Sequence, residues 1–177
     1  NLILHIGFEA LQALSPTGRS RPFIKGADGL VPAEGAVAIV LKRLSDVTPK
    51  DTIHGVIRAV GLSNDGRRKG LLAPDSEGQA EAMRRAYAEA GLNPDSVDFL
   101  ECHATGTAVG DSVEIAAAAS VFGTERHLPI GSLKANTGHL ITAAGLASLL
   151  KLTQAMANET LPSMPLNGDL IDAVTSP

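Results

Sequence analysis

Histidine, lysine, threonine and acidic residues are concentrated in two short stretches of this 177-residue chain. The first stretch, residues 101–114, has the sequence ECHATGTAVGDSVE, and the second, residues 134–139, has the sequence KANTGH. His103 and His139 stand in these stretches among small glycine, threonine and asparagine residues, and Lys134 opens the second stretch. Two neutral imidazoles that face one carbonyl oxygen can donate two hydrogen bonds and stabilise an enolate or oxyanion. The stretches therefore predict half of an active site for carbon–carbon bond formation or acyl transfer.

Each polar stretch follows an apolar run that predicts a strand, at residues 97–102 and 128–133, and precedes a run that predicts a helix, at residues 111–122 and 139–157. A strand–helix–strand–helix order of this length is typical of parallel strands joined by a right-handed crossover. The loops that follow parallel strands lie at the same edge of the sheet, where ligands of open α/β sheets bind. We therefore expect the two stretches to meet in space.

The remaining elements are predicted from apolar runs and turn residues. Ser76 and Gln79 form a capping-box pattern that opens a helix ending at Gly91, and the apolar stripe of this helix consists of Met83, Ala86, Tyr87 and Ala90. The helix over residues 139–157 is apolar on nearly every face and is expected to be buried on most sides. Further apolar runs predict strands at residues 1–7, 36–41 and 53–62, and a short helix around residues 8–14.

The composition is that of a folded soluble domain, with 44% hydrophobic and 19% charged residues. A net charge of -4, 3% aromatic residues and no tryptophan argue against nucleic-acid binding. The sequence has no apolar run of about 18 residues for a membrane span and no basic start for a signal peptide. One cysteine excludes an internal disulfide and a cysteine zinc site, and fits a cytoplasmic protein. The length favours one domain, and an opening without methionine predicts a piece of a longer protein.

Two acidic residues in the first stretch have competing interpretations. Asp111 and Glu114 have the spacing of an N-cap and N3 pair, so helix capping alone would explain them. Alternatively, Glu114 faces Lys134 from the neighbouring unit and holds its ammonium in an ion pair. No metal site is expected, because the spacing matches no common ligand pattern and Lys134 would oppose a cation.

The other reactive side chains are interpreted from their positions. His139 lies at the predicted start of the long helix, where the helix dipole and burial both favour a neutral imidazole. Cys102 is expected in the core with Leu100, because adjacent strand residues such as Cys102 and His103 face opposite sides. Residues 67–69, Arg-Arg-Lys, form either a solvated loop or a rim contact for an acidic carrier protein or a phosphate. Structural roles are predicted for the remaining histidines, His5, His54 and His127.

The two polar stretches resemble motifs of the β-ketoacyl synthase (ketosynthase) domains of type I polyketide and fatty acid synthases. Residues 101–114 are similar to the family's E-A-H-G-T-G-T-x-x-G-D-P-x-E, and residues 131–139 to its G-S-x-K-x-N-x-G-H. The resemblance covers essentially the whole chain and implies an α/β, thiolase-like fold, with a mixed, largely parallel sheet between helical layers in its C-terminal half. Residues 1–52 would end the N-terminal half and residues 53–177 would belong to a truncated C-terminal half. Shorter matches lie upstream in the family's order, at residues 14–19, 27–29, 34–35, 64–66 and 70–74.

The resemblance also implies an activity, the decarboxylative Claisen condensation of an acyl thioester with a malonyl-type extender. His103 and His139 match the family's two histidines, which bind the thioester carbonyl of the extender and stabilise the enolate. Lys134 matches a lysine that orders the site through the acid at Glu114. The same motifs contain two further supporting residues, Asp111 and Asn136.

The implied partners follow from the same family. Thr105 and Thr107 match threonines that hydrogen-bond the phosphopantetheine arm of an acyl carrier protein, and no cofactor is expected to bind directly. The family acts as a dimer, so a homodimer is expected. The nucleophilic cysteine and a Gly-Phe-Gly-Gly-type loop of the family are absent from this sequence, so the chain is expected to be inactive without the remainder of the ketosynthase domain.

Departures from the family pattern leave alternatives open. Ala104 replaces a usual Gly, Ser112 a Pro, Lys25 an Asp and Leu72 a Thr. The exact motif variants are more similar to iterative synthases that make enediyne cores, heterocyst glycolipids or polyunsaturated fatty acids. The missing nucleophile also fits a non-catalytic partner of the chain-length-factor type, although retention of both histidines and the lysine argues against it. A thiolase-type condensation is disfavoured because that relative uses a second cysteine.

Overall fold

The computed structural model describes residues 2–67 and 73–175. Within these ranges the chain forms six α-helices and two short strands: α1 Leu2–Ala10, α2 Ser76–Ala90, β1 Leu100–Glu101, α3 Ala108–Phe122, β2 Ile130–Gly131, α4 Lys134–Thr137, α5 Ala144–Ala157 and α6 Asp172–Thr175. Single 3₁₀ turns lie at Leu44–Asp46, Pro94–Ser96 and Ile141–Ala143. None of the helices in these ranges has the length and hydrophobicity that a membrane crossing requires.

Strands β1 and β2 are parallel, as predicted, and helix α3 connects them. Leu100 pairs with Ile130 and Glu101 pairs with Gly131. One further hydrogen bond, from the N–H of Cys102 to the carbonyl of Gly131 at 2.7 Å, extends the pairing toward the first polar stretch. Both strands are shorter than predicted, but their carboxyl ends lie side by side, so the loops that follow them start from one edge.

Helix α2 packs against α3 and has the predicted length. Its N-cap is Asp75 and not Ser76, because the Asp75 carboxylate accepts the backbone N–H of Glu77 at 3.2 Å. Gly91, at φ 63° and ψ 32°, ends the helix in the left-handed conformation that glycine adopts without strain. Tyr87 of the predicted apolar stripe meets Phe122 of α3 edge to face, with ring centroids 5.5 Å apart.

The three strands predicted in the first third of the chain are wrong. Residues 2–10 form helix α1, which also replaces the helix predicted around residues 8–14, and α1 has no buried residue. Residues 36–41 and 53–62 form no strand pairing within the described ranges. An apolar run becomes a strand only where a neighbouring strand takes up its backbone hydrogen bonds. These runs instead carry exposed side chains, of which Val40 at 99% is the extreme.

The long helix predicted over residues 139–157 ends where predicted, at Ala157, but its start and its burial were predicted wrongly. Its first part is a 3₁₀ turn at Ile141–Ala143, and α5 begins only at Ala144. The positive φ of Ile141, 54°, is incompatible with a continuous right-handed helix from His139. Helix α5 buries one stripe and leaves Leu146 and Leu150 37% and 43% exposed.

The core next to the two polar stretches is small and tightly filled. Its buried centre consists of Phe23, Cys102, Ala104 and Ile115. Residues from both strands and from the end of the chain pack around this centre, namely Leu100, Ile130, Met164, Leu170, Ile171, Ala173 and Val174. The core therefore fixes the strand ends and the beginning of the first polar stretch as one unit.

Candidate functional site

The two polar stretches meet, and their histidines face each other. The ring centroids of His103 and His139 are 5.2 Å apart and the ring planes are nearly perpendicular, at 81°. His103 is exposed and His139 is half-buried. Two imidazoles at this separation can direct N–H groups at a single small acceptor between or beside them.

One nitrogen of His139 is already occupied, which defines its tautomer. The backbone N–H of Ile141 donates to Nδ1 of His139 at 3.0 Å. Nδ1 is therefore the acceptor nitrogen, and in the neutral ring the proton resides on Nε2, which is left as a donor. The predicted helix dipole plays no part here, because α5 begins five residues later than His139.

Both imidazoles have a lowered pKa. Burial lowers the pKa of His139 from 6.5 to about 4, and the neighbouring His103 and Lys134 act in the same direction. Packing around the His103 ring and the positive charge of Lys134 lower the pKa of His103 as well. At neutral pH both rings are therefore uncharged hydrogen-bond donors and not imidazolium ions.

A segment from the first third of the chain holds the two loops together. The N–H of Gly29 donates to the carbonyl of Gly106 at 3.1 Å in the first loop. In the second loop, the N–H of His139 donates to the carbonyl of Val31 at 2.7 Å, and the N–H of Ala33 donates to the carbonyl of His139 at 2.8 Å. The segment over residues 29–33 thus fixes the relative position of the two loops through backbone hydrogen bonds.

Gly138, which precedes His139, is required by its surroundings. Its φ of 74° and ψ of -174° lie in a region that other residues rarely adopt. A Cβ atom at this position would lie 2.8 Å from the carbonyl oxygen of Val31. The backbone of the second loop can therefore approach residue 31 only because residue 138 is a glycine.

Glu114 does not form the predicted ion pair with Lys134. Its two carboxylate oxygens accept the backbone N–H groups of His103 at 2.6 Å and Ala104 at 2.7 Å. Among the described residues no carboxylate forms a salt bridge with Lys134. A carboxylate that accepts two N–H groups is a strong anchor, so Glu114 supports the site by fixing the backbone of His103.

Asp111 is not the N-cap of α3, because the helix begins at Ala108, three residues earlier than predicted. Its carboxylate is buried and accepts three backbone N–H groups, from Phe23 at 2.8 Å, Thr105 at 3.1 Å and Gly106 at 3.2 Å. Burial raises the pKa of Asp111, and these hydrogen bonds oppose that rise. Asp111 therefore joins the first loop to the buried segment around Phe23.

Lys134 lies at the first residue of α4 and is 4% exposed. Burial lowers the pKa of its ammonium, while the negative charges of Glu101 and then Glu114 oppose this effect. Its positive charge reaches both imidazoles, since it contributes to the lowered pKa of His103 and of His139. The three predicted catalytic residues thus form one electrostatic cluster.

The three other predicted site residues lie in different surroundings. Thr105 is buried and Thr107 half-buried, and their hydroxyl oxygens are 3.4 Å apart in the first loop. Asn136 is exposed and donates its side-chain amide to the carbonyl of Ser163 at 3.2 Å. Asn136 therefore tethers a distant segment to the second loop.

The structure tests the remaining sequence predictions about reactive groups to different extents. Cys102 is 3% exposed in the core, as predicted, and burial raises the pKa of its thiol far above the usual range. No group of three or more metal-binding side chains occurs in the described ranges. Arg67 is exposed, whereas Arg68, Lys69 and the departure at Leu72 lie outside the described residues. The side chains of His5, His54 and His127 are all exposed, so none of them belongs to the core.

Sequence reasoning missed one buried pair beside the site. Lys151 of α5 and Glu101 of β1 form an ion pair of 2.6 Å, with side chains 5% and 4% exposed. The sequence contained a signal for this pair, because Lys151 lies on the same face of α5 as the buried residues Ala144, Ala147 and Ala155. A lysine at a core-facing position requires a buried partner.

Comparison with known proteins identifies the family. Residues 54–166 match the family described as beta-ketoacyl synthase, C-terminal domain, and residues 2–47 match beta-ketoacyl synthase, N-terminal domain. The chain belongs to the β-ketoacyl synthase family. It is 46% identical over 165 residues, 90% of this chain, to the PKS-NRPS hybrid synthetase ATPKS of Aspergillus niger. It is 41% identical over 167 residues, 92% of this chain, to the 5-methyl-1-naphthoate synthase of Streptomyces sahachiroi.

Solved ketosynthase structures share the fold. The ketosynthase from module 6 of the bacillaene synthase from Bacillus subtilis 168 matches 98% of this chain with a TM-score of 0.92 and 35% identity. The PfaC keto synthase-chain length factor matches 94% with a TM-score of 0.88 and 39% identity. The thiolase-like α/β fold is therefore confirmed. The chain spans 32% and 18% of those two structures, and 9% of each of the two curated relatives.

Proposed function

We propose that this ketosynthase chain supplies the enolate-stabilising part of a site for decarboxylative Claisen condensation. The observation that carries the proposal is the pair of neutral imidazoles, His103 and His139, whose ring centroids lie 5.2 Å apart. The substrate class is a malonyl-type thioester, because its carbonyl oxygen acquires negative charge when carbon dioxide leaves. Two N–H donors aimed at that oxygen stabilise the charge as it develops.

The reaction follows from the position of these donors. The bond between the carboxylate carbon and the α-carbon of the extender breaks, carbon dioxide departs, and the electron pair becomes an enolate. The Nε2–H of His139 and an N–H of His103 donate to the enolate oxygen. The α-carbon then attacks the acyl group of a cysteine thioester, and the cysteine leaves as thiolate. Lys134 supplies a positive charge that keeps both imidazoles neutral and favours the anionic enolate.

The carrier and its arm are assigned to the first loop. We expect Thr105 and Thr107 to hydrogen-bond a phosphopantetheine arm, since both hydroxyls lie beside each other close to His103 in the chain. This arm belongs to an acyl carrier protein, so no directly bound cofactor is part of the proposal. The chain would act in the cytoplasm, where its single cysteine remains reduced.

The nucleophile in this proposal comes from other residues of the synthase. Cys102 is unsuitable because it is buried and its pKa is raised, so that thiolate does not form. Large exposed apolar side chains, including Val40, Leu41 and Leu62, offer a surface for the rest of the ketosynthase domain and a dimer partner. In this arrangement residues 1–52 end the N-terminal half of the domain and residues 53–177 belong to its C-terminal half.

The test uses the complete ketosynthase that contains these residues. The variants His103→Ala and His139→Ala should each reduce malonyl-thioester decarboxylation and condensation by about 100- to 1000-fold, the cost of losing one donor to a developing oxyanion. His127→Ala, which removes an exposed histidine, is the matched control and should retain activity. Circular dichroism should report folded protein for all three variants. Normal turnover in either of the first two would refute the assignment.

A second candidate is a non-catalytic partner of the chain-length-factor type. Two of the similar structures, those of PfaC and of the ishigamide system, combine a ketosynthase with a chain length factor. The two functions differ in one observable, because only a ketosynthase forms an acyl-cysteine thioester. Incubation of the complete protein with an acyl thioester, followed by mass spectrometry, should detect the acyl adduct if the enzyme proposal is correct.

The narrower similarity to iterative enediyne, heterocyst-glycolipid or polyunsaturated-fatty-acid synthases remains a proposal that product analysis would test.

A further inference from the structure

A single buried carboxylate connects three elements behind the histidine pair. The Oε2 atom of Glu101 pairs with Nζ of Lys151 at 2.6 Å. Its Oε1 atom accepts the backbone N–H of Leu133 at 2.6 Å and the hydroxyl of Ser148 at 3.2 Å. Strand β1, the turn before α4 and helix α5 therefore share one acidic group.

Lys151 is confined as closely as its partner. Its ammonium lies 5.2 Å from the centroid of the Phe99 ring. A Cβ atom on Gly131 would be 3.3 Å from Nζ of Lys151, so the lysine passes directly beside β2. A buried ion pair of this kind seldom makes a fold more stable than an apolar pair of the same size. Its position beside the site therefore calls for a role other than stability.

The contacts of Glu101 connect the buried pair to Lys134. Glu101 is the last residue of β1 and lies two residues before His103 in the chain. The N–H that its carboxylate accepts belongs to Leu133, the residue directly before Lys134. Glu101 is also the strongest of the negative charges that act on the Lys134 ammonium. Glu114 acts more weakly on Lys134. The N–H groups that its oxygens accept, from His103 and Ala104, belong to the first loop and not to the turn before Lys134.

We propose that Glu101 and Lys151 are positioning residues that fix Lys134 in the site and supply the counter-charge for its ammonium. Glu101 holds the turn from which Lys134 starts, and Lys151 holds Glu101. This inference rests on the proposed function, in which the charge of Lys134 favours the enolate. Neither Glu101 nor Lys151 needs to touch the substrate.

The proposal predicts a change in pH dependence. Without Glu101, the buried Lys134 loses its main counter-charge and releases its proton at lower pH. The charged and titratable groups that face Lys134 from the surrounding elements are Glu101, Glu114, Asp111, Cys102, His103 and His139. Glu101 is the only acid removed in the experiment below. The Lys151 cation that is removed with it is not among the charges that shift the pKa of Lys134, so a change in the pH profile reports the loss of Glu101.

The experiment uses the double variant Glu101→Gln with Lys151→Met in the complete ketosynthase. Because both charges are removed together, no unpaired charge remains buried and the fold should persist. We expect an unchanged KM for a malonyl thioester and a kcat that declines at lower pH than in the wild type, with a deficit of about tenfold at the alkaline end. The matched control is Glu81→Gln with Arg85→Met, which removes an exposed ion pair of the same 2.6 Å length and should follow the wild-type profile.

Two outcomes would overturn the proposal. A double variant with the wild-type pH profile would mean that the pair is only structural. A second variant, Lys134→Arg, does not depend on how well the double variant folds. Arginine stays protonated throughout the pH range, so the residual activity of this variant should show no alkaline decline. An alkaline decline that persists in Lys134→Arg would mean that Lys134 is not the titrating group.

The experiments also distinguish a failure of this proposal from a failure of the proposed function. If His103→Ala and His139→Ala retain normal turnover, the enolate site itself is wrong. If both histidine variants are inactive while kcat of the double variant depends on pH as in the wild type, only the role of Glu101 and Lys151 is wrong.

Discussion

The substitution Gly138→Ala tests whether one glycine sets the position of His139. The backbone of Gly138, at φ 74° and ψ -174°, lies in a region where a residue with a side chain is strained by about 1–3 kcal/mol. The new Cβ would also lie 2.8 Å from the carbonyl oxygen of Val31 and 3.1 Å from Cβ of Ala33. Relief of such a contact requires backbone movement, which costs about 1–3 kcal/mol more. We therefore expect Gly138→Ala to lower the free energy of unfolding by about 2–6 kcal/mol.

Catalysis should respond as well, because the same carbonyl of Val31 accepts the N–H of His139 at 2.7 Å. Any movement that separates residue 138 from Val31 also displaces the imidazole. A displacement of about 1 Å of a reacting group can reduce the rate about 100-fold. We expect kcat of the complete ketosynthase to fall by at least about tenfold.

Gly145→Ala is the matched control, seven residues further along the chain. Gly145 is exposed in the first turn of α5, and a Cβ atom there meets nothing within 4 Å. Alanine at an unstrained helical position should stabilise the protein by about 0.5–1 kcal/mol and leave kcat unchanged. Urea unfolding followed by circular dichroism, with steady-state kinetics, measures both effects. The backbone argument is refuted if Gly138→Ala lowers the free energy of unfolding by less than about 0.5 kcal/mol relative to the wild type. The link to His139 is refuted if Gly138→Ala retains full kcat.

Two further predictions concern titratable groups. Cys102→Ala should cost about 1–2 kcal/mol in stability but leave condensation intact, and mass spectrometry should detect alkylation of Cys102 only after unfolding. The pKa of His139 is about 4 in the folded protein and 6.5 in its ordinary state, so the unfolded chain takes up a proton first as the pH falls. His139 therefore contributes stability above pH 6.5 that is lost as the pH falls toward about 4, and urea midpoints of His139→Gln should depend less on pH in this window. An equal dependence in both proteins would contradict the lowered pKa.

The meeting of the two loops was predictable because it depends on local rules. Apolar runs of strand length preceded both stretches, helical runs followed them, and parallel pairing then left one possible edge for His103 and His139. Glycine at position 91 likewise marked the end of α2 through a purely local conformational preference. Such features need only the residues around them, so the sequence was sufficient.

Long-range partners decided the features that were not predictable. The runs over residues 36–41 and 53–62 have strand-like composition, but a strand also needs a partner, and none of the described residues pairs with them. Asp111 and Glu114 were expected to act on their own helix or on Lys134. Their actual partners are backbone N–H groups of the first loop and of Phe23, which is far away in the sequence. No spacing rule connects a carboxylate to such distant amides.

The distribution of charge around the histidine pair explains how a site with several acids can receive an anion. Glu101, Asp111 and Glu114 would all oppose a developing enolate if their charges were unbalanced. Asp111 is surrounded by three backbone N–H groups, Glu114 by two, and Glu101 by an ammonium, an N–H and a hydroxyl. The three carboxylates thus hold the loops in place by accepting backbone N–H groups. Within the described residues no carboxylate forms a salt bridge with Lys134. Its ammonium and the imidazole N–H groups are therefore the groups that the proposed mechanism reserves for the negative charge of the enolate.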